Sequence, residues 1–321
     1  MYADFTCIGE FLSSHFNEIS KRRIIMETNQ IKAPKRVVIA GSSGFIGQYF
    51  VSKFKTLGAE VRCIDRNGFD LRWDNHKDIL KVLDGADLLI NLAGKSVDCR
   101  YTESNKRKIL ESRTKTTDEL GQLIGKCKEP PKVWMNASSA TVYRYAEDRF
   151  MDEKDGEIGS GFSVNVVRQW EKSFFSHSDK GSRMIALRMS IIMGEGGVYP
   201  ILKRMVRFGF GGKMGKGTQK FSFMHIEDLF RAILFLYSNQ SSEGVYNCSS
   251  PNAVTNEYLM KTIRKKEGIG FGIPLNEWIL KFGAVLIGTE TELVLKSRWI
   301  MPGKLMSEGF VHQYPKIEEC T

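Results

Sequence analysis

The sequence predicts an α/β fold, a doubly wound parallel sheet with a smaller C-terminal α/β cap, and three observations carry that prediction. Short apolar runs of strand length alternate with longer stretches whose apolar residues recur at helical spacing. A glycine-rich segment closes the first run and opens the first helical stretch. The chain of 321 residues, 42% of them hydrophobic, is long enough to bury a large core.

The elements follow in order. Val37 to Ala40 is an unbroken apolar run, as suits a strand covered on both faces. Phe45 to Leu57 has helical spacing, and Glu60 to Ile64 reads as the next strand, which makes a βαβ unit. Lys77 to Leu83 reads as a helix, Asp87 to Leu92 as a buried strand, Ser104 to Lys126 as a long polar-faced helix, and Lys132 to Ala137 as a further strand. After an acidic, glycine-bearing loop from Glu147 to Gly161 come a helix, Asn165 to Phe175, and a single buried strand, Arg183 to Ile192. Beyond Gly194 the pattern loosens, then resumes as a helix from Ile226 to Tyr237 and a strand from Val245 to Cys248. The expected division is an N-terminal extension over 1–34, disordered in part, a nucleotide-binding unit over 35–193, and a substrate cap over 194–321, with 225–250 returning to the main sheet.

Composition narrows the function classes. A formal net charge of +10 would suit a phosphate-bearing ligand, a nucleic acid or an anionic surface. No aromatic-basic stacking motif or recognition helix supports nucleic acid, so none is expected as a partner. Six scattered cysteines without a CxxC pair and five scattered histidines predict no metal and no disulfide framework, and fit a reducing cytoplasm. No apolar run approaches the length of a membrane span, and residues 1–30 carry Asp4, Glu10, Glu18 and Glu27 rather than a signal sequence, so no membrane partner is expected.

The segment Gly41-Ser42-Ser43-Gly44-Phe45-Ile46-Gly47 lies between the first strand and its helix. There a GxxGxxG turn exposes backbone N–H groups at a positive helix end, where a pyrophosphate docks. Gly41 permits the tight turn, Gly44 lets phosphate approach the backbone, and Gly47 lets helix pack on strand. The predicted ligand is NAD or NADP. Asp65, at the end of the second strand, would bind ribose hydroxyls and tilts the reading to NAD, while Arg66 beside it would pair with a 2′-phosphate and keeps NADP open.

Further motifs follow in fixed order: Asn91-Leu92-Ala93-Gly94, Glu111-Ser112-Arg113, Ala137-Ser138-Ser139-Ala140-Thr141-Val142-Tyr143, Trp170-Glu171, Leu187-Arg188, Gly211-Gly212 with Gly215 and Gly217, His225-Ile226-Glu227-Asp228-Leu229, and Pro302-Gly303-Lys304-Leu305 with Gly309-Phe310 and Tyr314-Pro315. On these residues the chain resembles the extended short-chain dehydrogenase/reductase superfamily, and within it an atypical NAD-dependent epimerase/dehydratase-like family with a C-terminal epimerase-associated segment. The resemblance implies a Rossmann-type sheet and an oxidoreductase or epimerase acting on a small polar or anionic substrate, nucleotide sugars included, and leaves a homodimer open. It also implies that Leu92, Ala93 and Gly94 line the cofactor, that Arg113 reaches it, and that Ile192 borders its nicotinamide end. Without the resemblance, Leu92 and Ile192 read as core and Arg113 as a helix-surface charge.

Extended members of the superfamily normally use a Tyr-xxx-Lys pair in which lysine lowers the tyrosine pKa for proton transfer, and the resemblance to the atypical family implies its absence. Registering Trp170-Glu171 on the corresponding helix puts Ser163 and Val167 at those positions, and neither does that chemistry. Two such pairs do occur, Tyr49 with Lys53, read as structural, and Tyr199 with Lys203, beside the expected cleft. Ser138 or Ser139, with Tyr143, are the candidates for polarising a substrate carbonyl, the alternative being a capped strand end. A basic stretch from Lys203 to Lys220 is read as an anion clamp or a solvated rim, and His225 and Asp228 as structural. A dinucleotide-sensing protein with little turnover is the competing function.

Overall fold

A computed structural model describes residues 33–66, 70–280 and 296–321; the expected extension over 1–34 lies almost wholly outside the described residues. Seven parallel strands form the main sheet: β1 (Arg36–Ala40), β2 (Glu60–Asp65), β3 (Leu71–Arg72), β4 (Leu88–Asn91), β5 (Val133–Ser139), β6 (Arg183–Met189) and β10 (Gly244–Cys248), in the order β10-β6-β5-β4-β1-β2-β3. The order reverses between β1 and β4, the place where a doubly wound sheet opens a crevice beyond its strand ends.

Helices α1 (Phe45–Thr56), α2 (His76–Leu83), α3 (Glu103–Ile124), α4 (Phe162–Phe175) and, later in the chain, α6 (Ile226–Ser238) cover the sheet. Alternation along β1 shows why both faces are covered. Val37 and Ile39 pack with Phe50, Phe54, Ile233 and Leu236 on one side, while Val38 and Ala40 pack with Leu83, Leu120, Trp134 and Phe174 on the other.

Between β6 and β10 the chain builds β7 (Ile191–Met193), α5 (Tyr199–Arg207), β8 (Lys220–Phe221) and β9 (Phe223–His225). The single strand expected over Arg183 to Ile192 is therefore two. Ser190 interrupts it, donating its N–H and hydroxyl to the Cys248 carbonyl at 3.0 Å each, and β7 turns away to pair with β9. The basic stretch from Lys203 is helical over its first residues, because Tyr199, Leu202 and Val206 form one apolar face. After β10 follow β11 (Val254–Thr255), α7 (Asn256–Lys266), α8 (Gly303–Ser307) and α9 (Ile317–Cys320). A separate core of Leu202, Val206, Leu259, Met260, Ile263 and Ile317 holds this cap together. Among the described residues no helix is long and apolar enough to cross a membrane, and no cluster could hold a metal ion.

Candidate functional site

A cavity of about 480 Å³ opens at the β1–β4 reversal. Its walls include Gly41, Gly44, Phe45, Ile46, Gly47, Leu92, Ala93, Gly94, Arg113 and Ile192, ten residues drawn from four separate stretches of chain and expected together at a cofactor. Ser138 and Ser139 also line it.

The turn is shaped by backbone contact. Gly41 has φ +83°, and a methyl there would stand 2.8 Å from the Ala93 nitrogen; one at Gly47 would stand 2.5 Å from the Gly41 carbonyl oxygen. Gly44 caps α1 without any side-chain bond, so the first-turn N–H groups face the space in front of the helix. Behind the opposite wall, the buried Asn91 side chain accepts the Ala93 N–H at 3.0 Å and donates to Asn136 at 2.7 Å and Thr117 at 3.0 Å. The Phe45 ring packs beneath the loop at Gly194 to Gly197, where a methyl on Gly196 would overlap it at 2.3 Å. These contacts fit an extended phosphate-bearing ligand lying along backbone.

Arg113 is held by backbone carbonyls and an aromatic ring. Its Nη1 donates to the carbonyls of Lys95 and Ile109, both at 3.0 Å, and its guanidinium lies 5.2 Å from the Trp170 ring centre. Among the described residues no carboxylate pairs with it, and burial lowers its pKa to about 10. The charged residues lining the cavity are Lys95, Arg113 and Arg298, all basic.

Three expected cofactor residues stand elsewhere. Asp65 is buried and accepts from the Ser43 N–H at 3.1 Å, the Ser43 hydroxyl at 2.9 Å and the Ser42 hydroxyl, so Ser43 and Asp65 brace the turn from behind. Neither lines the cavity, and Arg66 is exposed beyond it. The tilt to NAD drawn from Asp65 therefore loses its basis, because that carboxylate is turned to Ser42 and Ser43 and does not line the cavity.

The carbonyl-polarising group is also revised. Tyr143 is 1% exposed and off the cavity; its hydroxyl accepts from Arg188 Nη1 at 3.0 Å and donates to Asn247 Oδ1 at 3.0 Å, and burial raises its pKa. Ser138 donates its only proton to Glu171 at 2.6 Å, so it has none left for a carbonyl. Ser139 accepts the Thr141 N–H at 3.2 Å and shares a hydroxyl–hydroxyl hydrogen bond with Thr141 at 2.9 Å, and both residues line the cavity. Ser163 and Val167 both line the cavity. Tyr199 is buried in the cap and Lys203 is ion-paired with Glu267 at 3.0 Å, both off the cavity. The Tyr49 hydroxyl bonds Glu227, which Lys53 pairs at 2.7 Å. His225 caps α6, accepting the Glu227 N–H at 3.2 Å, and Asp228 anchors the N–H groups of Gln313 and Tyr314 at 2.7 and 2.8 Å.

Sequence reasoning missed Thr141, Tyr101 and Arg298 as lining residues. Tyr101 comes from the irregular stretch after Gly94, edge-on to Phe162 at 5.0 Å, and Arg298 from the distant C-terminal segment. No spacing rule links either to the turn; Thr141 had a signal in its position two residues beyond Ser139.

The model of the NAD dependent epimerase/dehydratase family matches residues 37–249. The chain belongs to that family. Residues 277–320 match a second model, a domain of unknown function named DUF1731. Among epimerase family relatives, YfhF of Bacillus subtilis is 29% identical over 291 residues, 88% of this chain and 95% of that protein. A Staphylococcus aureus epimerase family protein is 30% identical over 299 residues, 88% and 97% of the two chains. The solved structure of human epimerase family protein SDR39U1 with NADPH superposes with a TM-score of 0.81 at 27% identity, covering 89% of this chain and 97% of that one. A nucleoside-diphosphate sugar epimerase from Corynebacterium glutamicum gives 0.72 at 29% identity, covering 89% and 57%. The family membership and the cavity agree on NAD(P)-dependent, oxidoreductase- or epimerase-like activity for this epimerase/dehydratase family chain.

Proposed function

We propose that the protein is an NADP(H)-dependent oxidoreductase or epimerase acting on a small anionic substrate. The observation that carries this reading is the convergence of the glycine turn, Leu92 to Gly94, Arg113 and Ile192 on one cavity whose charged lining residues are all basic. The bound nicotinamide would supply hydride exchange at its C4. The chain does the rest. The first turn of α1 receives the pyrophosphate. Arg113, half-buried and with no carboxylate paired to it among the described residues, supplies a fixed positive charge. Ser139 and Thr141 bring a hydrogen-bonded pair of hydroxyls to the cavity wall. The preference for NADP(H) rests on Asp65 being committed to the turn while Arg66 remains exposed at the ribose end. The human relative solved with NADPH favours the same choice.

A thermal-shift titration with NAD, NADH, NADP and NADPH tests the proposal, since a ligand that binds the native state raises the melting temperature by mass action. NADPH is expected to give the largest shift; no shift with any of the four would end the proposal. The presence of Ser163 and Val167 in place of a proton-transferring pair favours a second reading, a dinucleotide-sensing protein with little turnover. Redox change of the cofactor with any small anion excludes it.

A further inference from the structure

We infer that Glu171 is a positioning residue that fixes Ser138 as a hydrogen-bond acceptor toward the cavity, so that the substrate group lodged there is a donor, a hydroxyl or an N–H. The inference rests on the proposed cofactor-and-substrate cavity and names one chemical feature of the substrate.

Parallel register sets Ser138 of β5 opposite Arg188 of β6, and Glu171 on α4 reaches over both. Glu171 Oε1 accepts from the Ser138 hydroxyl at 2.6 Å and from Arg188 Nε at 2.8 Å, while Oε2 accepts from Arg188 Nη2 at 2.7 Å. A guanidinium only donates, so both carboxylate oxygens are held as acceptors and the Ser138 proton has no alternative direction. Polarity is also fixed at the far end. Asn247 Nδ2 donates to the Met301 carbonyl at 3.0 Å, which orients its Oδ1 to accept from Tyr143, and Tyr143 in turn accepts from Arg188. The pair is largely shielded from water, with side chains 12% and 13% exposed.

Ser138 lines the cavity with its only proton committed to Glu171, so a bond that its hydroxyl makes to a bound group is made as acceptor. A carbonyl oxygen beside Ser138 would face an acceptor, and a hydroxyl or amine would find a partner. The difference is that between a made hydrogen bond and a desolvated, unpaired acceptor.

The test uses the full-length protein saturated with a redox-inert tetrahydro analogue of NADPH. Matched pairs of small hydroxy and oxo acids, lactate with pyruvate and malate with oxaloacetate, are titrated by calorimetry. Wild type is expected to bind the hydroxy acid of at least one pair about threefold to tenfold more tightly. Ser138→Ala should abolish the preference and Ser138→Thr, which keeps the hydroxyl, should restore it. Glu171→Gln, whose amide can donate to Ser138, should weaken or invert it; should that variant not fold, the two Ser138 variants carry the test. Equal or tighter oxo-acid binding, survival of the preference in Ser138→Ala, or failure of every pair to bind overturns the inference. Binding of the cofactor analogue is read in the same samples, so loss of the cofactor site is distinguished from failure of the acceptor role.

Discussion

Gly41 and Ala93 meet backbone to backbone, with the position of a Gly41 methyl only 2.8 Å from the Ala93 nitrogen. The contact sets the width of the cavity where β1 and β4 end, because the two strands pair as far as Ala40 and Asn91. Substituting Gly41 changes both the turn and the opposite wall.

Gly41→Ala should cost about 1–2 kcal/mol from the left-handed backbone and about 1–3 kcal/mol more from overpacking against Ala93. A lowered urea midpoint together with loss of the NADPH thermal shift is expected. A variant with native midpoint and native shift would show that the turn tolerates a side chain and does not hold the cofactor.

Asp65 and Arg66 separate two roles for the end of β2. Asp65→Ala removes the acceptor that braces Ser42 and Ser43, so affinity for NAD and NADP should fall alike, by roughly tenfold or more for lost bonds to a charged group. Arg66→Ala should weaken NADPH and leave NADH unchanged. Loss of NAD binding alone in Asp65→Ala would return Asp65 to the ribose.

Tyr143→Phe tests whether the buried phenol is structural. Removing its hydroxyl leaves Arg188 Nη1 and Asn247 Oδ1 without that partner, a loss of about 1–3 kcal/mol for buried polar groups left unsatisfied. Denaturant melts should register the loss while NADPH titrations stay at the wild-type value; a stable variant with altered cofactor or substrate binding would contradict the assignment.

His225 predicts a pH dependence of stability. Burial lowers its pKa, and its Nδ1 must be unprotonated to accept the Glu227 N–H. The cap's contribution is present above the unfolded histidine value of about 6.5 and is lost as pH falls through the lower folded value. His225→Asn keeps a capping side chain without a titrating group, so the decline in melting temperature between about pH 7 and 5 should flatten. His312, also lowered by burial, supplies a residual slope. An unchanged slope in the variant would remove His225 from the account.

Much of the scaffold was legible because its signals are local. The run Val37 to Ala40 and the glycines after it lie within eleven residues, and both halves of the pattern report burial or backbone strain that any neighbouring structure must respect. The cap was less legible. Its helix α5 is nine residues long and amphipathic at the head of a basic, glycine-bearing stretch, so composition there spoke for a loop. The break at Ser190 depends on the Cys248 carbonyl, 58 residues away, and no local pattern encodes it.

The sequence by itself determined the glycine turn and the parallel, doubly wound character of the sheet, because steric limits on backbone and the patterning of apolar residues act over short stretches of chain, and its motifs in their order carried the resemblance to the family. Tertiary structure alone decided what the polar residues do. Ser138, Tyr143 and Asp65 were each expected as a reactive or ligand-binding side chain, yet the Ser138 proton goes to Glu171, the Tyr143 hydroxyl to Arg188 and Asn247, and the Asp65 carboxylate to Ser42 and Ser43. A hydroxyl has one proton to give, and which neighbour receives it is settled by the packing of α4, β6 and β10 around it.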